Sequence, residues 1–264
     1  MSYRSRLEAR IARHTTRAIV DFGLVEDGDR VMVALSGGKD SWALLQILHV
    51  LQRHAKIDFS LVAATVDSGY EDFRYDVIAR TCEERGWECR VEHTKIGETI
   101  DDLLEPDDTP CSLCGRLRRG VLYRLATELG ATKIALGHHA DDVIETLLLN
   151  LFYEGTLKAM PARLVSDDGV HHVVRPLVYV RETDTAAYAR ECGLPVVSCC
   201  CSACGDFSLK RQRIKRLLLD LERENPAVRN SMLRAVGNVA PSHLLDKELL
   251  QWLRESIQPA TLHS

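Results

Sequence analysis

Three clusters of residues in this chain have the types and spacing for chemistry. The first is Ser36-Gly37-Gly38-Lys39-Asp40-Ser41. Paired glycines let the backbone turn tightly and approach a ligand with no Cβ in the way. A helix starting there aims its unpaired N–H groups and positive end at an anion, and Lys39 adds a full charge. The second is a pair of C-x-x-C segments, Cys111–Cys114 and Cys201–Cys204, each followed by glycine. Thiolates three apart can reach one centre, so four-cysteine zinc, an iron–sulfur cluster and a redox dithiol all remain open, with spacing alone favouring zinc. Cys192, Cys199 and Cys200 lie near the second pair. The third cluster is Gly137-His138-His139-Ala140-Asp141-Asp142. Its acids open a helix, where they would complement the dipole or hold a divalent cation.

Positioning these groups requires a sheet. Val31-Met32-Val33-Ala34-Leu35 is an uninterrupted apolar run that reads as a strand buried on both faces, and 59–67 reads the same way. Further strands are expected at 88–93, 131–137 and 175–177, with a hairpin turn over 165–170. Helices are expected at 4–22, after the glycine turn, over about 71–85, from about 116, after 139, over about 181–191 and from 209 onward. Residues 97–110 read as an acidic, proline-containing excursion. Alternating strands and helices predict an α/β fold with a parallel sheet and ligands beyond the carboxyl ends of its strands. The organisation expected is a basic N-terminal helix (1–24), an α/β domain carrying the glycine loop (25–195) with a cysteine-bearing insertion near 97–120, and a cysteine loop with a helical region (196–264). Cys82 and Cys89 are expected to pack in the core.

The chain has 264 residues, 45% hydrophobic and 27% charged, with a net charge of −4. No run approaches membrane-spanning length, and the charged start has no apolar signal core, so a cytoplasmic protein is expected. Nine cysteines in a reducing compartment suggest metal ligands or catalytic thiols. The chain is not globally basic, so a nucleic-acid partner would have to be held by local patches. Candidates are Arg118 and Arg119 after the first cysteine pair, the Lys210–Arg216 cluster with Arg213 and Lys215, and the arginines of helix 4–17, which read equally as a solvated face.

Ser-Gly-Gly-Lys-Asp-Ser is neither a Walker loop nor a dinucleotide fingerprint. It resembles the PP-loop of ATP pyrophosphatases, which cleave ATP between the α and β phosphates and adenylate a carbonyl oxygen. The order of motifs then resembles the tRNA 2-thiocytidine synthetase (TtcA) family, within the TtcA/TtuA group of tRNA thiolases. The resemblance spans about 4–246. It is carried by 33–41, by Cys111-Ser112-Leu113-Cys114 with Arg116-Leu117-Arg118-Arg119-Gly120, and by 130–139, with further matches at 160–161, 166–169 and 241–244.

The resemblance implies a Rossmann-like (HUP-type) domain with helices on both faces, ATP with Mg²⁺, and a [4Fe-4S] cluster on three cysteines. These would be Cys111, Cys114 and Cys201, with Cys204 the alternative third. The run Cys199-Cys200-Cys201 departs from the single cysteine typical of the family, and the family often has a longer C-terminal tail. Ala34, Leu35, Ser36, Gly37, Gly38, Lys39, Asp40, Ser41, Val66, Gly137 and His138 would bind the nucleotide. Asp142, then Asp141, would hold the metal or activate the base. Lys39 would offset charge on the leaving pyrophosphate, and Arg118 and Arg119 would guide the target cytidine at position 32 of a tRNA. A sulfur donor such as a cysteine desulfurase, and a homodimer, are further expectations. The rivals are another PP-loop tRNA ligase or amidotransferase with structural zinc, and a non-catalytic zinc- and nucleotide-binding tRNA module.

Overall fold

Strand β1 (Arg30–Ala34) lies at the centre of a six-stranded sheet. The computed structural model describes residues 3–103, 110–166, 168–197 and 208–257, with side chains at all of these except 110–112, 208–209, 254 and 256–257. On one side of β1 pairs β2 (Ser60–Asp67), itself paired with β3 (Cys89–His93); on the other pairs β4 (Lys133–Ala135). All of these pairings are parallel. The sheet continues through β6 (His172–Val174), parallel to β4, and ends in β5 (Arg163–Val165), antiparallel to β6. The spatial order is β3-β2-β1-β4-β6-β5. The chain builds outward from β1 to β3 and then returns to the far side of β1. That reversal leaves a crevice between the carboxyl ends of β1 and β4, where open α/β sheets bind ligands.

Alternation along the strands explains why both faces are covered. Val31, Val33, Leu61, Ala63, Ala135 and Val174 face one way, into a core completed by α1 (Arg6–Phe22), α2 (Lys39–Gln52) and α7 (Glu182–Glu191). Met32, Val62, Ala64, Val66, Ile134 and Val173 face the other way, against α4 (Ile96–Leu103) and α5 (Pro110–Glu128). A third cluster joins α6 (Ala140–Leu149) to α8 (Ser208–Glu224) and α9 (Val228–Val236) through Ile144, Leu148, Ile214 and Leu218. Trp42 is fully buried one turn into α2. Its ring packs in the core beside Trp87 and anchors the start of α2 where the glycine loop delivers it. Cys82, on α3 (Tyr75–Glu84), is fully buried, and Cys89 packs beside the same core.

Several local expectations differ. The 97–110 excursion is helical over α4, because Ile96 and Ile100 stand at i, i+4 and bury together. Helix α5 begins at Pro110 and not near Arg116; proline suits the first helical position, where its missing N–H has no intrahelical partner to lose. Gly115 therefore lies inside a helix and makes no sharp turn. The sixth strand is 172–174 and not 175–177: Pro176 cannot donate to a ladder, and Val178 N–H turns back to Arg175 O. Helix α3 starts at Tyr75, and β4 is only Lys133–Ala135. A π-turn, Asn150–Glu154, follows α6.

The α1 arginines divide. Arg10 grips Asp184 through two bonds, Arg17 pairs with Asp21 and lies over Tyr179, and Arg4 donates to the Cys192 sulfur. Arg6 and Arg13 are exposed. Cys192, buried at the end of α7, is a core residue. Among the described residues no helix is long and apolar enough to cross a membrane.

Candidate active site

The loop between β1 and α2 is built by its own serines. Ser36 N–H donates to Ser41 Oγ at 3.2 Å, and Gly38 N–H donates to Ser36 Oγ at 3.3 Å. Ser41 Oγ donates to Gly38 O at 2.9 Å. Thr65 Oγ1 donates to Leu35 O at 2.7 Å and ties the loop's entry to β2. Gly37 has φ +80°, a region L side chains rarely adopt, and a Cβ there would lie 2.9 Å from Ile78 Cδ1. Its carbonyl accepts from Val197 N–H at 2.9 Å, which docks the segment before the second cysteine pair against the loop. Gly38 caps α2 in an extended conformation. The first-turn N–H groups of α2 lack intrahelical partners by geometry and are donors of the kind that can hold an anion.

Across the crevice, β4 runs through Leu136 and Gly137 into His138 and α6. His139 caps α6: its N–H donates to Asp142 Oδ2 at 2.9 Å, and Asp142 N–H donates to its ring. The other Asp142 oxygen accepts from Arg211 Nη2 at 3.1 Å. Asp141 points elsewhere. It is 3% exposed, accepts from Glu182 N–H at 2.7 Å and from Arg229 Nη1 at 2.9 Å, and pairs with Arg181. Its carboxylate binds α6, α7 and α9 together, outside the cleft.

The cleft has a volume of about 610 Å³ and is lined by Ala34, Leu35, Ser36, Asp40, Ser41, Val66, Gly137, His138 and Asp142. Its opposite wall is the first half of α5, with Gly115, Arg118, Arg119 and Leu122. Arg118 donates to Val66 O and Arg119 to Gly115 O, and among the described residues neither meets a carboxylate. Lys39 reaches sideways from the loop: its Nζ lies 3.0 Å from Asp40 Oδ2 and 3.0 Å from Glu182 Oε1. Thr185 Oγ1 donates to the second Asp40 oxygen.

Glu182 also lines the cleft and was not singled out from the sequence; His139, from the 137–142 cluster, and Arg211, from the Lys210–Arg216 cluster, line it as well. Lys215, expected on an RNA-binding face, also lines the cleft, 3.3 Å from Glu182 Oε2, whereas Arg213 is exposed on α8. The i, i+4 spacing of Arg211 and Lys215 places them on one helix face, a signal present in the sequence.

Charge states follow from these contacts. Burial works to raise the Glu182 pKa, but its bonds to Lys39 and attraction to Lys215 hold it down to about 2. Burial opposes the charge on Lys39 as well, yet Asp40 and Glu182 raise its pKa above the usual value. Burial pushes His138 down to about 4, so it faces the cleft as a neutral ring.

Cys111 and Cys114 fall three apart at the start of α5, one helical turn from each other. Cys114 is half-buried beside Leu113 and Leu117, and the next residue, Gly115, lines the cleft. Cys199, Cys200, Cys201 and Cys204 lie outside the described residues. Among the described residues, no three metal-ligating side chains converge on one point.

A family model described as a PP-loop domain matches residues 7–222. The chain is 54% identical over 233 residues to a tRNA-cytidine(32) 2-sulfurtransferase of Geobacter metallireducens, covering 88% of this chain and 91% of that one. It is 49% identical over 249 residues to the enzyme of the same name from Vibrio vulnificus strain YJ016, covering 94% and 80%. Among solved structures, the U34-tRNA thiolase NcsA from Methanococcus maripaludis with its [4Fe-4S] cluster has the same fold. The TM-score is 0.73 at 24% identity, over 91% of this chain and 84% of that one.

Proposed function

The chain belongs to the tRNA-cytidine(32) 2-sulfurtransferase family of PP-loop proteins, and from this we propose that it uses ATP to replace the C2 oxygen of cytidine 32 in tRNA with sulfur. The observation that carries the reading is one shared cleft. Ser36, Asp40 and Ser41 of the glycine loop line one wall, and the C-x-x-C helix α5, with Arg118 and Arg119, lines the other. ATP fits that arrangement: the cleft is of ordinary ligand size, and the first turn of α2 opens on it with Ser36, Asp40 and Ser41.

In this reading the C2 oxygen attacks the α-phosphorus and the bond to pyrophosphate breaks. The base is then an adenylate whose C2 accepts a sulfur nucleophile, and AMP departs. Loop N–H groups and Lys39 hold the β and γ phosphates and stabilise the charge that grows on the leaving pyrophosphate. Ala34, Leu35, Val66, Gly137 and His138 wall the nucleotide. Neutral His138 offers hydrogen bonding without added charge. Arg118 and Arg119 orient the RNA, whose target base must be splayed from its loop.

Asp142, with one oxygen toward Arg211 in the cleft, is the carboxylate for Mg²⁺. Cys111 and Cys114, together with Cys201 or Cys204, suit a [4Fe-4S] cluster, because thiols three apart on a helix share one face; when bound, the cluster supplies the sulfur. The nucleotide-binding unit of this reading is 25–195, and 196–264 is an appended region whose α8 returns to the cleft. We place the protein in the cytoplasm as a homodimer, recharged by a donor such as a cysteine desulfurase.

The test is anaerobic purification and reconstitution, then incubation with tRNA, sulfide and ATP. The expected products are AMP, pyrophosphate and 2-thiocytidine at position 32. A colourless zinc protein that leaves the tRNA unmodified, or one that releases ADP, sinks the reading.

A further inference from the structure

Glu145, in the second turn of α6, is 1% exposed and carries a carboxylate. A buried carboxylate persists only with cationic partners. Glu145 has two, both from α8: Arg211 Nε lies 2.6 Å from Oε2, and Lys215 Nζ lies 3.7 Å from Oε1. The two cations stand one helical turn apart, and both line the cleft. Glu182 carries the link onward. One of its oxygens is 3.0 Å from Lys39 Nζ, and the other is 3.3 Å from Lys215 Nζ. Lys215 therefore sits one carboxylate away from the lysine of the anion-binding loop. Arg211 reaches Asp142 at 3.1 Å on the same side. The exposed face of α8 carries other basic residues, Arg213 and Arg216, and neither of these lines the cleft.

We propose that Arg211 and Lys215 bind the pyrophosphate end of ATP together with Lys39, and that Glu145 is the positioning residue that holds them there. This rests on the reading of the cleft as an ATP site. It assigns α8 a nucleotide face and a separate outer face. Asp142 and Glu182 hold the donors that phosphate oxygens would take over. Glu145 stays, because its burial leaves it no alternative partner. Arg211 suits the task because its planar fork can keep one N–H on Glu145 while another meets phosphate.

The full chain is titrated with α,β-methylene ATP, which cannot be cleaved at the scissile bond, and separately with AMP and tRNA. Arg211→Ala should weaken the triphosphate analogue about tenfold or more, the loss of one charge-assisted hydrogen bond, and leave AMP and tRNA affinity unchanged. Lys215→Ala should act in the same direction, and Arg211→Lys should recover part of the loss. Glu145→Gln should weaken the analogue in the parent background but add nothing once Arg211 and Lys215 are both alanine. Unchanged analogue affinity in Arg211→Ala overturns the proposal, as does an equal loss for AMP. A loss of tRNA affinity alone also overturns it and returns α8 to RNA binding. An additive effect of Glu145→Gln removes its positioning role. A parent protein that binds no nucleotide defeats the ATP reading itself.

Discussion

Gly137, just beyond β4, lies so close to the first turn of α2 that a Cβ on it would sit 2.8 Å from the Ser41 amide nitrogen and 2.9 Å from the Asp40 carbonyl carbon. The contact is backbone against backbone, so no side chain can move aside. It locks the loop wall of the cleft to the wall that carries His138. Gly137→Ala should lower stability by about 1–3 kcal/mol, the usual cost of overpacking, and weaken ATP binding as the walls separate. The contrast is Gly120→Ala, inside α5 with nothing within 4 Å of its Cβ position. That change should raise stability by about 0.5–1 kcal/mol. Urea unfolding of the two variants checks the pair; a stable, ATP-binding Gly137→Ala defeats the prediction.

Gly38 has an ordinary φ of −72°, and a Cβ on it would meet only Ser36 Oγ, at 3.4 Å. Alanine there leaves the fold intact, so any lost activity reports on the bound ligand. Gly38→Ala and Lys39→Ala should both keep their iron. Both should lose ATP-dependent thiolation, with Lys39→Ala down by about 10²-fold. Thiolation equal to the parent's in either variant counts against the loop's role.

Arg118 and Arg119 on the cleft wall bond to backbone carbonyls, and Arg213 is exposed on the outer face of α8. Alanine at any one should weaken tRNA binding across sequences. It should also reduce the salt slope by about one unit for each phosphate left unneutralised. Filter binding across a salt series reads this directly. An unchanged slope for Arg213→Ala assigns that residue to a solvated face.

An open iron position requires a cluster with three protein ligands. Cys111→Ser and Cys114→Ser should each lose iron and activity, since both stand on one turn of α5. Cys201→Ser should do the same, while Cys204→Ser should retain iron, and Cys199→Ser and Cys200→Ser should retain iron and activity. Iron and sulfide analysis after anaerobic reconstitution decides the matter. Iron lost from Cys204→Ser and kept by Cys201→Ser reverses the third ligand.

His49 stacks on Trp87 with ring centroids 4.8 Å apart, and burial pushes its pKa down to about 4 from 6.5. The unfolded chain therefore takes up a proton as pH falls through 6.5, while the folded chain resists until about 4. Stability falls across that window. His49→Gln should flatten this component, seen as a shallower decline in the urea midpoint from pH 6.5 to 4 than the parent shows. Parallel declines would mean that His49 is not a source of the acid sensitivity.

The family and fold class of this protein were legible wherever they are written in contiguous residues. Ser36–Ser41, the C-x-x-C segment at 111–114 and Gly137–Asp142 each need only neighbours in the chain, and the buried runs at 31–35 and 59–67 demand a parallel sheet. Those features identify the loop, the α/β class and the family. They leave open which acid faces the cleft. Asp141 and Asp142 are adjacent and chemically alike, but one turns inward to Arg229 and the other outward to Arg211. The difference lies in where α8 and α9 pack, which side-chain periodicity leaves free. The same holds for Lys215, an exposed-looking residue of a basic helix until Glu145 and Glu182 draw it into the cleft. Ion pairs between residues far apart in sequence depend on the relative placement of whole helices, and only the tertiary structure decides that.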